Sequence, residues 1–180
     1  MEFSNEQKLM LGNQSISSLD LMILERGEYK SMKKRFTMPV AVHVFLMKDN
    51  KLLMLRRYNT GYEDGNYSVI AGHLDGSEEV VTAACREAYE EAGITIKPGD
   101  VQIVNVMHRK SDDERIDYFV RCTKWTGEII NKEPGKCDDL EWFDINDLPG
   151  NSIQYIKRAV QNYKSSNYFD SFGFKTVETK

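Results

Sequence analysis

From Gly72 to Ile94 the chain reads Gly-His-Leu-Asp-Gly-Ser-Glu-Glu-Val-Val-Thr-Ala-Ala-Cys-Arg-Glu-Ala-Tyr-Glu-Glu-Ala-Gly-Ile. Ala83, Ala84, Ala88 and Ala92 favour a helix. Ser77, after the turn-forming pair Asp75-Gly76, is the expected N-cap, with Glu78 and Glu79 in the first turn where the helix dipole welcomes negative charge. Gly93 falls where a left-handed residue ends a helix. Val81, Ala84, Cys85, Ala88 and Ala92 make an apolar stripe expected to pack on a sheet. Beside that stripe, Glu87, Glu90 and Glu91 stand at i, i+3 and i+4, within an arc of about 100°. Like charges at these spacings cost a few tenths of a kcal/mol per pair, so the cluster persists most easily against something positive. A hard divalent cation with oxygen ligands, Mg2+ or Mn2+, fits that need.

A Glu-Glu pair on a helix is by default a solvated face. Here the acids belong to a longer spacing: Gly72, Glu78, Arg86, Glu87, Glu90, Glu91, Gly93 and Ile94 fill Gly-x5-Glu-x7-Arg-Glu-U-x-Glu-Glu-x-Gly-U, where U is apolar. This resembles the Nudix box, complete at every fixed position, and flanking features extend the resemblance over about residues 38–174.

The resemblance implies an α/β fold: an α/β/α sandwich with a mixed central sheet and the loop-helix-loop of the box. It implies water-driven cleavage of a phosphoanhydride in a nucleoside diphosphate linked to a group X. It also implies a Mg2+ or Mn2+ cofactor held by Glu87, Glu90 and Glu91 with the Gly72 backbone carbonyl, one carboxylate serving as base. Which glutamate is the base differs among members. Arg86 and Glu78 are similar to a strut that orients these acids; an ordinary Arg86–Glu90 i,i+4 pair is compatible with that role. MutT-like members often add an acid from outside the box. Glu133 is the first candidate, with Asp138, Asp139 and Glu141 as rivals.

Around the box, residues 39–47 read as a buried strand and residues 51–58 as its hairpin partner across Asp49-Asn50. Further strands are expected at 67–71, 101–109, 115–125 and 140–144, and a second helix over 152–163. Strands mixed with two helices suggest a sheet sandwiched between helices. Residues 1–31 fit poorly with this pattern. The codons of Glu25-Arg26-Gly27 are compatible with a purine-rich run of the kind bacterial ribosomes bind before a start codon, so we expect an upstream or accessory extension in a bacterial protein and a Nudix domain over residues 32–180.

Residues 56–67, Arg-Arg-Tyr-Asn-Thr-Gly-Tyr-Glu-Asp-Gly-Asn-Tyr, resemble the loop of a bacterial, loosely MutT-like subgroup. Arg56 and Arg57 are candidates for substrate phosphates. Tyr62, Tyr67 or Phe45 would stack a base, although core packing or loop anchoring is the commoner role of such residues. His73 replaces the second glycine of many MutT members and is a further substrate candidate, or a loop hydrogen bond. The proline expected about sixteen residues after the box in ADP-ribose pyrophosphatases is absent, as is a coenzyme A signature. These absences lean toward nucleoside triphosphates, with nucleotide sugars or ADP-ribose as the alternative and a non-catalytic nucleotide-sensing module as a reading of another class.

The 180 residues are expected to form one main domain with a full core. A net charge of −4 disfavours stable nucleic-acid binding and RNA decapping. No run of 18 apolar residues exists, and the start lacks a basic region before an apolar core, so neither a membrane span nor a signal peptide is expected. Cys85, Cys122 and Cys137 are odd in number and widely spaced, which suggests reduced thiols in a cytoplasmic protein. The acid spacing around Asp75 is not that of an EF-hand. The partner expected is a small nucleotide. A homodimer is compatible with the family, and Trp125, Tyr168, Phe169, Phe172 and Phe174 serve either an interface or core cover.

Overall fold

Val40 to Lys48 alternates too little to be a one-sided strand, and in the computed structural model it is covered on both faces as β1. The structure describes residues 35–175. The expected extension, residues 1–31, lies outside the described residues.

Asp49 and Asn50 both take positive φ, 50° and 61°. This is the backbone of a tight hairpin, and it returns the chain as β2 (Lys51–Arg57). The two strands then part. They pair only near the turn, at Met47 with Leu52 and Lys48 with Lys51. Beyond it β1 pairs antiparallel with β4 (Ile70–His73) and parallel with β6 (Glu114–Cys122). β2 pairs with β3 (Tyr67–Ser68) and β7 (Cys137–Asp144). β5 (Val101–Lys110) pairs antiparallel with β6 and parallel with β8 (Phe169–Phe172). The mixed, eight-stranded sheet therefore splits between β1 and β2.

A helix covers each face. Val42, Val44, Leu46, Leu53 and Val120 pack under α1 (Val80–Ala92), whose Ala83, Ala84, Ala88 and Ala92 are buried against them. Phe45, Leu52, Met54, Met107 and Phe119 pack under α2 (Gln154–Lys164) through Tyr155, Ile156, Ala159 and Val160. This is the expected α/β/α sandwich.

Some local expectations are corrected. Ser77 is not the N-cap: it has φ 68°, α1 begins only at Val80, and Glu79 occupies the cap position without a side-chain cap bond. The reason is competition. The Glu78 carboxylate accepts from the Asp75 N–H at 3.0 Å and is drawn to Arg86, which holds residues 75–79 out of the helix. Val80 rather than Val81 joins the apolar contact with the sheet. The expected strand over residues 67–71 breaks at Val69, so β3 serves β2 and β4 serves β1. The strand expected at 140–144 starts earlier, at Cys137. β8 was not expected at all; Phe172 packs on the α2-face core, while Tyr168, Phe169 and Phe174 remain exposed. Trp125 stacks on Trp142 at 6.0 Å as cover for the α1-face core.

Candidate active site

α1 ends at Gly93, where φ 72° lets its N–H reach the Tyr89 carbonyl while the Ile94 N–H reaches Ala88. The helix is thereby fixed with its acidic face toward β4. Glu87 is buried, and its carboxylate lies in the space that a side chain at position 72 would fill. Glu91 reaches further along β4 and accepts a 3.1 Å hydrogen bond from the Ala71 N–H. Glu90 lies at the exposed edge.

Arg86 ties the group together. It makes a two-pronged contact with Glu78 (2.9 and 2.8 Å) and donates to Glu87 at 2.5 Å, to Glu90 at 3.1 Å and to the His73 carbonyl at 3.0 Å. The strut and the i,i+4 pair thus coexist. Glu78 is held far below the usual carboxylate range, at about 2, by the Arg86 contact and the Asp75 N–H. The Arg86 guanidinium is pushed upward by the same partner.

The acids facing inward behave oppositely. Burial raises Glu91 to about 8, and the neighbouring Glu87 and Glu133 carboxylates add to the rise despite the Ala71 N–H. Burial likewise raises Glu87 against the pull of Arg86. Both carboxyls are thus held in desolvated positions, Glu87 against Arg86 and Glu91 against the Ala71 N–H. Among the described residues, no three acidic side chains are placed as a ready-made metal cage. The donor set nevertheless fits a hard divalent cation: all-oxygen ligands, desolvated, with excess negative charge and a side-chain-free Gly72 beside them.

These groups line one end of a cavity of about 440 Å3 that opens where β1 and β2 diverge. Glu133 lines the same cavity and is steadied by Lys136 at 2.8 Å. Its rivals point elsewhere. Asp138 pairs with Arg56, Asp139 accepts from the Tyr67 hydroxyl, and neither they nor Glu141 line the cavity.

The substrate candidates divide. Arg57, Tyr62 and His73 line the cavity. Arg57 is oriented by the Tyr62 carbonyl (2.7 Å) and the Thr60 hydroxyl (3.0 Å), and its guanidinium lies 5.3 Å from the Tyr62 ring centroid. Asp64 caps the loop through Thr60 and Gly61 N–H groups. Arg56 is not brought in: strand alternation turns it away, onto Asp138 at 2.8 and 3.1 Å. Tyr67 packs on Phe143, and Phe45 is fully buried in the α2-face core.

Sequence reading missed the wall contributed by β1, β5 and α2. Arg109, His43 and Tyr155 line the cavity, and Asp117 grips Arg109 from behind. The only advance signal was polar residues, His43, Arg109 and Asp117, interrupting apolar strands, and strand spacing alone does not say that they meet.

A split mixed sheet between two helices, with an acidic helix face closing one end of a cavity, places the chain among the α/β/α sandwich proteins. The NUDIX domain family model matches residues 37–164, and the chain belongs to the Nudix family. It is a Nudix hydrolase, acting on nucleotide-like substrates.

Among its relatives, an ADP-ribose pyrophosphatase of Methanocaldococcus jannaschii is 28% identical over 144 residues, covering 78% of this chain and 82% of that protein. An oxidized purine nucleoside triphosphate hydrolase of Danio rerio is 23% identical, covering 79% and 92%. An NAD-capped RNA hydrolase of Chromobacterium violaceum is 26% identical, but the match spans 61% of this chain and only 39% of that longer protein. In fold, the chain is similar to a MutT NUDIX hydrolase from Burkholderia pseudomallei (TM-score 0.65, 23% identity, 70% of this chain and 98% of that one). A MutT protein from Methanosarcina mazei gives 0.64 at 16% identity, over 75% and 99%. Among the described residues no helix is long and apolar enough to cross a membrane.

Proposed function

We propose that this chain hydrolyses a phosphoanhydride bond of nucleoside diphosphate derivatives with a divalent cation, Mg2+ or Mn2+, and that nucleoside triphosphates are its leading substrates, released as monophosphate and pyrophosphate. One observation carries the reading. The desolvated Glu87 and Glu91 carboxylates share a cavity with Glu133, Arg57 and Lys136. That is the charge pattern needed to hold a cation and a polyphosphate together.

Glu87, Glu90, Glu91 and the Gly72 backbone would hold the cation, with Glu133 contributing from the facing loop. A bound cation supplies charge neutralisation for the pyrophosphate and lowers the pKa of water. Arg86 keeps Glu87 and Glu90 in place through hydrogen bonds already formed. Arg57, with its direction set by Tyr62 and Thr60, meets phosphate oxygens. Glu91 is anchored through Oε2, and its Oε1 accepts no hydrogen bond among the described residues. That free Oε1 makes Glu91 one of the carboxylates placed to hold the cation or to receive the proton of the attacking water.

A nucleotide sugar or ADP-ribose is the alternative substrate class, favoured by likeness to the M. jannaschii pyrophosphatase. A sensing module without catalysis is disfavoured by the presence of every acid of the box. Product analysis over nucleoside triphosphates, nucleotide sugars and ADP-ribose, with Mg2+ or with EDTA, tests the proposal. Cation-dependent release of pyrophosphate is expected. No turnover anywhere on that panel would refute it.

A further inference from the structure

The cavity runs through the split in the sheet, so its ends lie on opposite faces. Gly72 opposes Val42 of the α1-face core, and Glu87 approaches from that side. His43 stacks on Phe119 of the α2-face core at 4.7 Å, and Tyr155 comes from α2 itself. The acidic end is thus separated from a second end built on β1, β5, β6 and α2.

Arg109 dominates that second end. It is 3% exposed yet lines the cavity. Its Nε donates to Asp117 at 2.5 Å, and its guanidinium lies 4.0 Å from the Tyr155 ring centroid. Nη1 has a 3.4 Å contact with the Ser111 hydroxyl, and Nη2 makes no hydrogen bond among the described residues. Asp117 is fully buried, so the pair was costly to desolvate and its geometry is rigid. His43 sits 3.4 Å from the other Asp117 oxygen, and its Nδ1 has no partner among the described residues.

A guanidinium that lines the cavity with Nη2 unused offers a donor to whatever fills it. Because Asp117 already balances its charge, a second full anion would face that carboxylate. A neutral, polarised oxygen is the better partner. A guanidinium offers donors only, and it pairs well with a ring carbonyl such as that of guanine. An exocyclic amine at the same place sets donor against donor in a desolvated site. Tyr155, backing the guanidinium, suits a flat ring.

We propose that Arg109, locked by Asp117 and backed by Tyr155, is the specificity-determining residue of the cavity and selects nucleotides whose base carries a carbonyl at purine C6 or pyrimidine C4, guanine or uracil, over those with an amine there, adenine or cytosine. This rests on the proposed function, because it takes the acidic end of the cavity for the phosphates and leaves this end for the base.

The test compares GTP and UTP with ATP and CTP, as kcat/KM of the full chain with Mg2+. A preference of about 10-fold for the carbonyl bases is expected, the scale of a hydrogen bond gained with one base and a donor left facing a donor with the other. The double variant Arg109→Gln/Asp117→Asn removes both charges together, so neither is left buried alone. It is expected to bring the ratio close to one, with thermal melting confirming the fold. Arg109→Lys keeps the charge without the fork and is expected to give an intermediate ratio. Equal wild-type rates on all four bases overturn the inference, as does an unchanged ratio in the folded double variant, which would make the pair structural. If no nucleotide is hydrolysed, the proposed function fails by itself. Affinities for non-hydrolysable GTP and ATP analogues then decide the inference: tighter guanine binding by about 10-fold supports it, and equal or undetectable binding overturns it.

Discussion

Gly72 and Glu87 compete for one space: a Cβ on Gly72 would lie 1.7 Å from Glu87 Oε1. No real Cβ tolerates that approach, so the bare backbone of β4 is what lets the carboxylate lie against it. Gly72→Ala is therefore expected to displace Glu87 and lower kcat/KM by about 100-fold, the scale on which misplaced catalytic groups fail. Steady-state kinetics with a melting curve separate this from unfolding. A folded variant with near-normal turnover would show that Glu87 does not need that position.

Arg86 satisfies three carboxylates and one backbone carbonyl at once. Lysine keeps the charge but has no planar fork to span Glu78 and Glu87 together. Arg86→Lys is expected to reduce activity by about 10- to 100-fold and to weaken Mg2+ binding comparably, as loss of a ligand-orienting partner does. Calorimetric titration with Mg2+ and nucleotide checks this. Unaltered cation affinity would remove Arg86 from that role.

Glu91 carries a stability cost that depends on pH. Its folded pKa, about 8, lies above the unfolded carboxylate value, so the fold loses stability as pH climbs from about 4.5 through 8 and the group ionises without a cation. In EDTA, Glu91→Gln is expected to melt higher than wild type, with a gap that widens from pH 5 to pH 8. Added Mg2+ is expected to stabilise wild type more than the variant, and the variant's turnover is expected to fall by orders of magnitude. A gap independent of pH contradicts the placement of this carboxyl in a desolvated site.

Asp117 works in the other direction. Burial alone would raise it, but His43 and Arg109 outweigh burial and hold it at about 2. Its stabilising contribution is present above the unfolded value near 3.9 and is lost as pH falls from about 4 toward 2. Asp117→Asn leaves Arg109 buried without its counter-ion and is expected to cost about 3–5 kcal/mol at pH 7. The stability of that variant should depend less on pH across the acid limb. Urea melts at pH 7, 4 and 2 measure both effects; a parallel acid limb would place the titrating group elsewhere.

The box was readable because its requirements are local. Three glutamates at i, i+3 and i+4, an arginine one residue earlier and a glycine after the last turn are all set by helical periodicity. The hairpin was readable for the same reason, since Asp49-Asn50 specifies a turn without outside help. The cap of α1 was misread because Glu78 has two uses. Arg86 lies a full helix turn and more away in sequence, and its pull outweighs a first-turn position near the dipole.

Charge spacing along residues 72–94 by itself determined the family, the acidic helix face and the likeness to a hydrolase, because those depend on neighbours within a few residues. Only the tertiary structure decided that Glu133 and not Asp138 lines the cavity, and that Arg57 faces it while Arg56 turns to Asp138. It alone brought His43, Arg109, Asp117 and Tyr155 together from three strands and a helix. Strand alternation fixes the face each residue takes, but which strands lie side by side depends on where β1 and β2 part, and that is set by packing across the whole sheet.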